Sequence, residues 1–197
     1  MKPIGASLAA ILFVAGCARY QAEPAATPAV PATPAAYSAS PAATIYAQSA
    51  TSAALFEVHA AKLALQRSSV PQLRAYAQGS INDHEQLGSQ LAAIAPFAGI
   101  GAAAIELSPL HANLLAQLQS ASPAEFDHIY RNTEVQAQLQ ALELHQLYAS
   151  SGEVPALRNF AQSAVGIAQS RLNQAQNLTL VAPPFRAPNP RRVGERG

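Results

Sequence analysis

Between Thr44 and Leu180 apolar residues recur at steps of three and four, and no stretch alternates at every second position, so the pattern predicts helices and no strands. One apolar stripe runs Ile45, Ser49, Ala53, Phe56, Ala60, Leu63 and ends near Arg67-Ser68-Ser69. A second runs Leu73, Ala77, Ile81, His84, Leu87, Leu91, Ile94, behind a Ser69 cap and with Pro71 in its first turn. Pro96-Phe97-Ala98-Gly99 stops it, and Ser108-Pro109 opens a short helix from Leu110 to Gln119. Ser122-Pro123-Ala124-Glu125 reads as a capping box that starts a third long helix, running to about Ser150 and closed by Gly152. The last helix starts near Glu153 or Pro155 and turns Leu157, Phe160, Ala164, Ile167, Arg171 and Leu178 inward. Two helical hairpins joined by a longer crossover predict an all-α, antiparallel four-helix bundle with a short extra helix in the central crossover.

The segments outside this region have a different character. Lys2, the short apolar run Ile4 to Val14, and Val14-Ala15-Gly16-Cys17 have the form of a lipoprotein signal. Residues 1–16 would be removed and Cys17 would carry the lipid, held firmly by several acyl chains. Ala18, rather than an aspartate, favours the outer membrane of a Gram-negative cell, facing the periplasm. A single cysteine also excludes an intramolecular disulfide. Residues 17–43 punctuate alanine and threonine with Pro24, Pro28, Pro31, Pro34 and Pro41, a composition expected of a disordered, semi-rigid tether. Residues 181–197 combine four prolines with Arg186, Arg191, Arg192 and Arg196 and are expected to be a disordered tail. Residues 44–180 are the right size for one domain.

Charge adds little. The chain has 12 basic and 11 acidic residues, and removing Lys2 with the signal leaves equal numbers, so nothing points to nucleic acid. The tail arginines could touch anionic cell-wall polymers or be a solvated end.

Polar residues standing where the core should be are the candidate chemistry. His84 interrupts an apolar stripe between Ile81 and Leu87, and Glu57 lies among Ala50, Ala53, Ala54, Ala60, Ala61 and Ala64. Asp127, Tyr130, Glu134, Gln138 and His145 follow three- and four-residue steps along the third long helix, and Arg171 sits on the inward stripe of the last. Each could be a satisfied core residue or a rim residue. Together Glu57, His84, Asp127, Tyr130, Glu134, Gln138 and Arg171 predict a buried polar cluster, because unpaired buried charge is costly. A di-iron bundle needs two Glu-x-x-His pairs, and Glu125-Phe126-Asp127-His128 is the lone one here, with Glu125 committed to the capping box. His59, His111 and His128 fall on outward or loop positions and are expected to be solvated. No Ser-His-Asp or Cys-His constellation and no phosphate-binding glycine loop can be assembled.

Phe56-Glu57-Val58 with Lys62-Leu63-Ala64, Leu73-Arg74-Ala75-Tyr76-Ala77 leading to Asp83-His84, Phe126-Asp127 with Tyr130, Ala149-Ser150-Ser151-Gly152, and Leu157-Arg158-Asn159-Phe160-Ala161 together resemble the bacterial domain-of-unknown-function family 4142. The resemblance spans about Ala47 to Leu178 and implies an exported, ferritin-like bundle with no established activity. It also implies histidines at the positions of Gln138 and Arg171, so two ligands of a metal site would be missing here. An arginine beside Glu57, Asp127 or Glu134 would then supply the charge that a cation supplies elsewhere.

The leading expectation is therefore a lipid-anchored envelope protein whose bundle binds or scaffolds an unknown periplasmic partner, without catalysis, cofactor or nucleic acid. A ferritin-like metal or oxidoreductase site built from Glu57, His84, Asp127 and Glu134 is one alternative. A structural lipoprotein touching the cell wall through its tail is another.

Overall fold

The computed structural model describes residues 40–101 and 106–181, which belong to one compact unit. Cys17, the expected lipid-attachment site, and most of the expected tether and tail lie outside the described residues. Five helices and no strand occur among the described residues: α1 Pro41–Arg67, α2 Pro71–Ile94, α3 Pro109–Ser120, α4 Phe126–Ser151 and α5 Pro155–Gln176, with a 3₁₀ turn Ala95–Ala98 after α2. None of these helices is long and apolar enough to cross a membrane. The molecule is a helical bundle in which α1 packs on α2, α4 on α5, α1 on α4 and α2 on α5, while α3 rides on α1 and α4.

Local chemistry explains where the helices begin and end. Ser40 caps α1, its hydroxyl oxygen accepting from the Ala43 N–H at 3.1 Å, and Pro41 occupies the first turn, so the helix begins three residues before Thr44. Ser108 caps α3 the same way, accepting from the His111 N–H at 3.2 Å. Gly99, at φ 70°, provides the left-handed residue that ends the 3₁₀ turn. Gly152 ends α4, its N–H donating to the Tyr148 carbonyl at 2.8 Å.

Three local expectations are corrected. Ser69 is exposed and does not cap α2. The cap is Val70, buried in the core, and its N–H donates to the Ser68 hydroxyl at 3.1 Å. Burial of Val70 thus outweighs the capping preference of its polar neighbour. Ser122 does not close a capping box either, since α4 starts only at Phe126. The Ser122 hydroxyl donates to Glu125 Oε2 at 2.6 Å, and the Ser122 carbonyl accepts the N–H groups of Glu125 and Phe126. The start of α1 is also rotated from the expected stripe. Ile45 is 63% exposed, while Tyr46, Ala47 and Ala50 face inward, because Tyr46 stacks on Tyr148 with ring centroids 3.9 Å apart.

The apolar interior has two centres. One gathers Phe56, Leu73, Tyr76, Leu118, Phe126 and Tyr130, and the other Tyr46, Leu87, Leu91, Tyr148, Leu157 and Phe160. Many of the inward residues of α1 are alanines, which lets its neighbours approach closely. On α2, α4 and α5 buried polar residues fall between the stretches that build the two centres: Ser80 and His84, then Gln138 and His145, then Arg171. Glu57 on α1 and Glu134 on α4 face the same layer.

Candidate functional site

The polar layer is organised around two carboxyl groups. Glu57 and Glu134 are 2% and 0% exposed and lie within hydrogen-bonding reach of each other. Ser80 donates to Glu57 Oε2 at 3.1 Å, and Tyr76 donates to Glu134 Oε2 at 2.9 Å. Burial, and then the negative charge of Glu134, pushes the Glu57 carboxyl well above the ordinary carboxylate range. Burial also raises Glu134, while Glu57, the Tyr76 donor and the nearby Tyr130 hydroxyl work against it. Burial, and then the same carboxyl groups, raise the Tyr76 and Tyr130 hydroxyls, so both remain protonated.

His84, one helical turn beyond Ser80, is 6% exposed. Its Nδ1 lies 2.9 Å from the Ser80 carbonyl, which can only accept, so Nδ1 carries the hydrogen and Nε2 is a free acceptor. Burial pushes its pKa down to about 4. His145, buried on α4, has Nδ1 3.0 Å from the Tyr46 hydroxyl and is likewise lowered to about 4, by burial and then by the neighbouring His84. Both imidazoles are therefore neutral at pH 7. A cavity of about 20 Å³ opens between Glu57, His84, His145, Ala141 and Leu87. That is room for one water molecule, which needs about 10–15 Å³.

Of the remaining residues singled out by the sequence, Tyr130 and Gln138 are completely buried, and Tyr130 Oη and both amide atoms of Gln138 have no protein partner in hydrogen-bond geometry. Asp127 is only half-buried, near the start of α4, and makes no hydrogen bond with the cluster. Arg171 is buried but does not pair with Glu57, Asp127 or Glu134 as expected. Its Nε donates to Asp83 Oδ2 at 2.7 Å and its Nη2 lies 2.6 Å from the same oxygen. Its Nη1 reaches the Tyr76 carbonyl at 3.4 Å and Gln174 Oε1 at 3.1 Å. The guanidinium stays beside Asp83 because that carboxylate is 36% exposed and keeps its hydration. Gly79 makes room for it: a Cβ there would stand 2.6 Å from both terminal nitrogens.

Sequence reasoning missed Tyr76, Ser80 and Asp83 as members of the site. The i, i+4, i+8 spacing of Tyr76, Ser80 and His84 was the available signal. It also placed His111 in solvent, whereas His111 is 9% exposed, stacks on Phe56 at 5.3 Å and bonds the Ser52 hydroxyl through Nδ1 at 2.7 Å. His59 and His128 are exposed.

The donor set does not suit a metal ion. Among the described residues no group of three or more histidine, cysteine, aspartate or glutamate side chains converges on one point. The two interior carboxyl groups lie within reach of each other, and Asp127 makes no bond with them.

A separate groove of about 460 Å³ runs along the first half of α1, the second half of α2 and the turn that follows. Ala54, Leu55, Val58, Leu91, Pro96 and Ile100 make it mostly apolar, while Thr51, His84 and Glu85 supply its polar atoms. His84, Ala54, Gly88 and Leu91 line both the groove and the interior cavity, so His84 stands between the two.

Fold and site thus define a helical bundle with a hydrogen-bonded polar layer at its centre. The chain belongs to the family described as domain of unknown function DUF4142, whose profile matches residues 28–178. No curated protein matches it. Among solved structures it is similar to the crystal structure of a DUF305 fragment from Deinococcus radiodurans, at 15% identity and a TM-score of 0.61, covering 70% of this chain and 95% of that one. At that identity the likeness concerns the fold alone.

Proposed function

We propose that the protein is a non-catalytic, lipid-anchored binding protein of the bacterial envelope, taking a small apolar or amphiphilic molecule into the groove between α1 and α2. The bundle is read as the antiparallel, ferritin-like arrangement, with short links from α1 to α2 and from α4 to α5 and a longer crossover carrying α3. The signal ending in Val14-Ala15-Gly16-Cys17 supports a lipid on Cys17 and an address at the outer membrane, facing the periplasm.

The groove is the observation that carries the reading. Its volume of about 460 Å³ lies within the range of small-ligand sites, about 300–1,000 Å³, and an apolar wall with a few polar groups at one side is their usual chemistry. The buried histidines and carboxyl groups are neutralised or hydrogen-bonded inside the bundle, which favours binding over catalysis.

Titration with a fluorescent naphthylamine probe tests it. Gly88 lines the groove, and a Cβ there would meet no atom within 4 Å, so Gly88→Leu fills the groove without crowding the core. The parent should bind saturably and Gly88→Leu should not, at an unchanged melting temperature. Equal binding by both chains, or none by the parent, would overturn the reading. For the anchor, Cys17→Ser should release the protein from the membrane fraction, since only the thiol accepts the lipid. Unchanged fractionation and mass would contradict it.

A further inference from the structure

We propose that Glu57 and Glu134 form a single-proton site, in which one proton shared by the two buried carboxyl groups does at the centre of the bundle what a metal ion or an arginine would otherwise do. The inventory of oxygen atoms carries the argument. Glu57 Oε2 accepts from Ser80 and Glu134 Oε2 accepts from Tyr76, while Glu57 Oε1 and Glu134 Oε1 are buried without a partner. The two groups are within hydrogen-bonding reach, yet two carboxylates have only acceptors to offer each other. Adding one proton turns the meeting of two acceptors into a donor and an acceptor, and removes one of two like charges from a water-poor interior.

No other group supplies the missing positive charge. On α5, Arg171 is engaged by Asp83 of α2 and reaches the pair only through space. On α2 and α4, His84 and His145 are neutral, and Tyr76 and Tyr130 are hydroxyl donors. Asp127, also on α4, stands half-buried outside the cluster. On α3, His111 is turned to Ser52 and Phe56. Tyr76 and Tyr130 add hydroxyl neighbours on the Glu134 side, and the pair together holds one proton and one negative charge. The site also has a route to solvent: His84 lines the outer groove and, with Glu57, the water-sized cavity behind it.

Infrared spectroscopy of the purified chain at pH 7 tests the proton directly. A carbonyl stretch of a protonated carboxylic acid should be present in the parent and absent from Glu57→Gln, whose amide replaces the O–H donor with an N–H donor. Linkage tests it independently. The folded pair holds a proton that the unfolded carboxyl groups release near pH 4.5, so stability falls as pH rises above that value until the folded pair also lets go. Above about pH 7.5 His84 and His145 are neutral in both states, so the unfolding equilibrium constant should rise about tenfold per pH unit for one proton in the parent, and stay level in Glu57→Gln. Absence of the infrared band from the folded parent would overturn the proposal, as would identical pH slopes for the two chains. The infrared result decides the question even if the variant fails to fold.

Discussion

At the end of the bundle where α1 begins, Tyr46 bonds His145, and the rings of Tyr46, Tyr148 and Phe160 enclose the pair, while the Tyr148 hydroxyl has no protein partner. About three turns away two carboxyl groups meet, and Glu57 Oε1, Glu134 Oε1, Gln138 and Tyr130 Oη have no protein partner. The first region is an ordinary aromatic core with one hydrogen bond inside it. The second holds acidic groups that must change their protonation to remain there. At the rim, where Asp83 touches water, a charged pair suffices. Access to solvent thus decides between a salt bridge, a shared proton and a neutral hydrogen bond.

Acid should separate the regions most strongly. His84 and His145 have folded pKa values of about 4 against an ordinary 6.5, so their stabilisation is complete above pH 6.5 and is lost as pH falls toward 4. Each shift corresponds to roughly 3 kcal/mol. Because the proton shared by Glu57 and Glu134 adds stability over the same interval, the loss is read in Glu57→Gln, where chemical denaturation at pH 7 and pH 4.5 should show a loss of several kcal/mol. Replacing His145 with glutamine should reduce that loss by about half, and an unchanged acid profile would show that His145 titrates normally.

The two tyrosine hydroxyls allow a direct comparison. Tyr76→Phe withdraws a donor from Glu134 and should cost about 2–3 kcal/mol, because the acceptor is charged and fully buried. Arg171→Ala should cost about 1–2 kcal/mol, since Asp83 is left able to recover water. Tyr46→Phe removes a neutral bond and should cost about 1 kcal/mol. Equal losses for the two tyrosine variants in urea melts would erase the distinction between the regions. The smallest effect is expected for Ser122→Ala, a few tenths of a kcal/mol, because its bond to Glu125 is exposed and lies outside α4.

Much of the fold was legible because helix punctuation is local. Pro71, Ser108-Pro109, Gly99, Gly152 and Pro155 mark starts and stops by their own backbone chemistry. Ser69 and Ser122 misled because capping depends on whether the next residues are drawn into the core, and Val70 and Phe126 are. In the site, spacing turned His84 and Glu134 inward, and both are buried. Partner choice was not legible. Whether Arg171 reaches Glu57 or Asp83 depends on the relative placement of α2 and α5 and on the missing side chain at Gly79, neither of which periodicity encodes.

Gly79 has a consequence for how this sequence can change over generations. A methyl group at residue 79 would meet the far end of the Arg171 side chain, so position 79 can grow only if the guanidinium shifts from its place beside Asp83 or residue 171 becomes smaller. The two positions, 92 residues apart in the chain, are therefore coupled in what each can become.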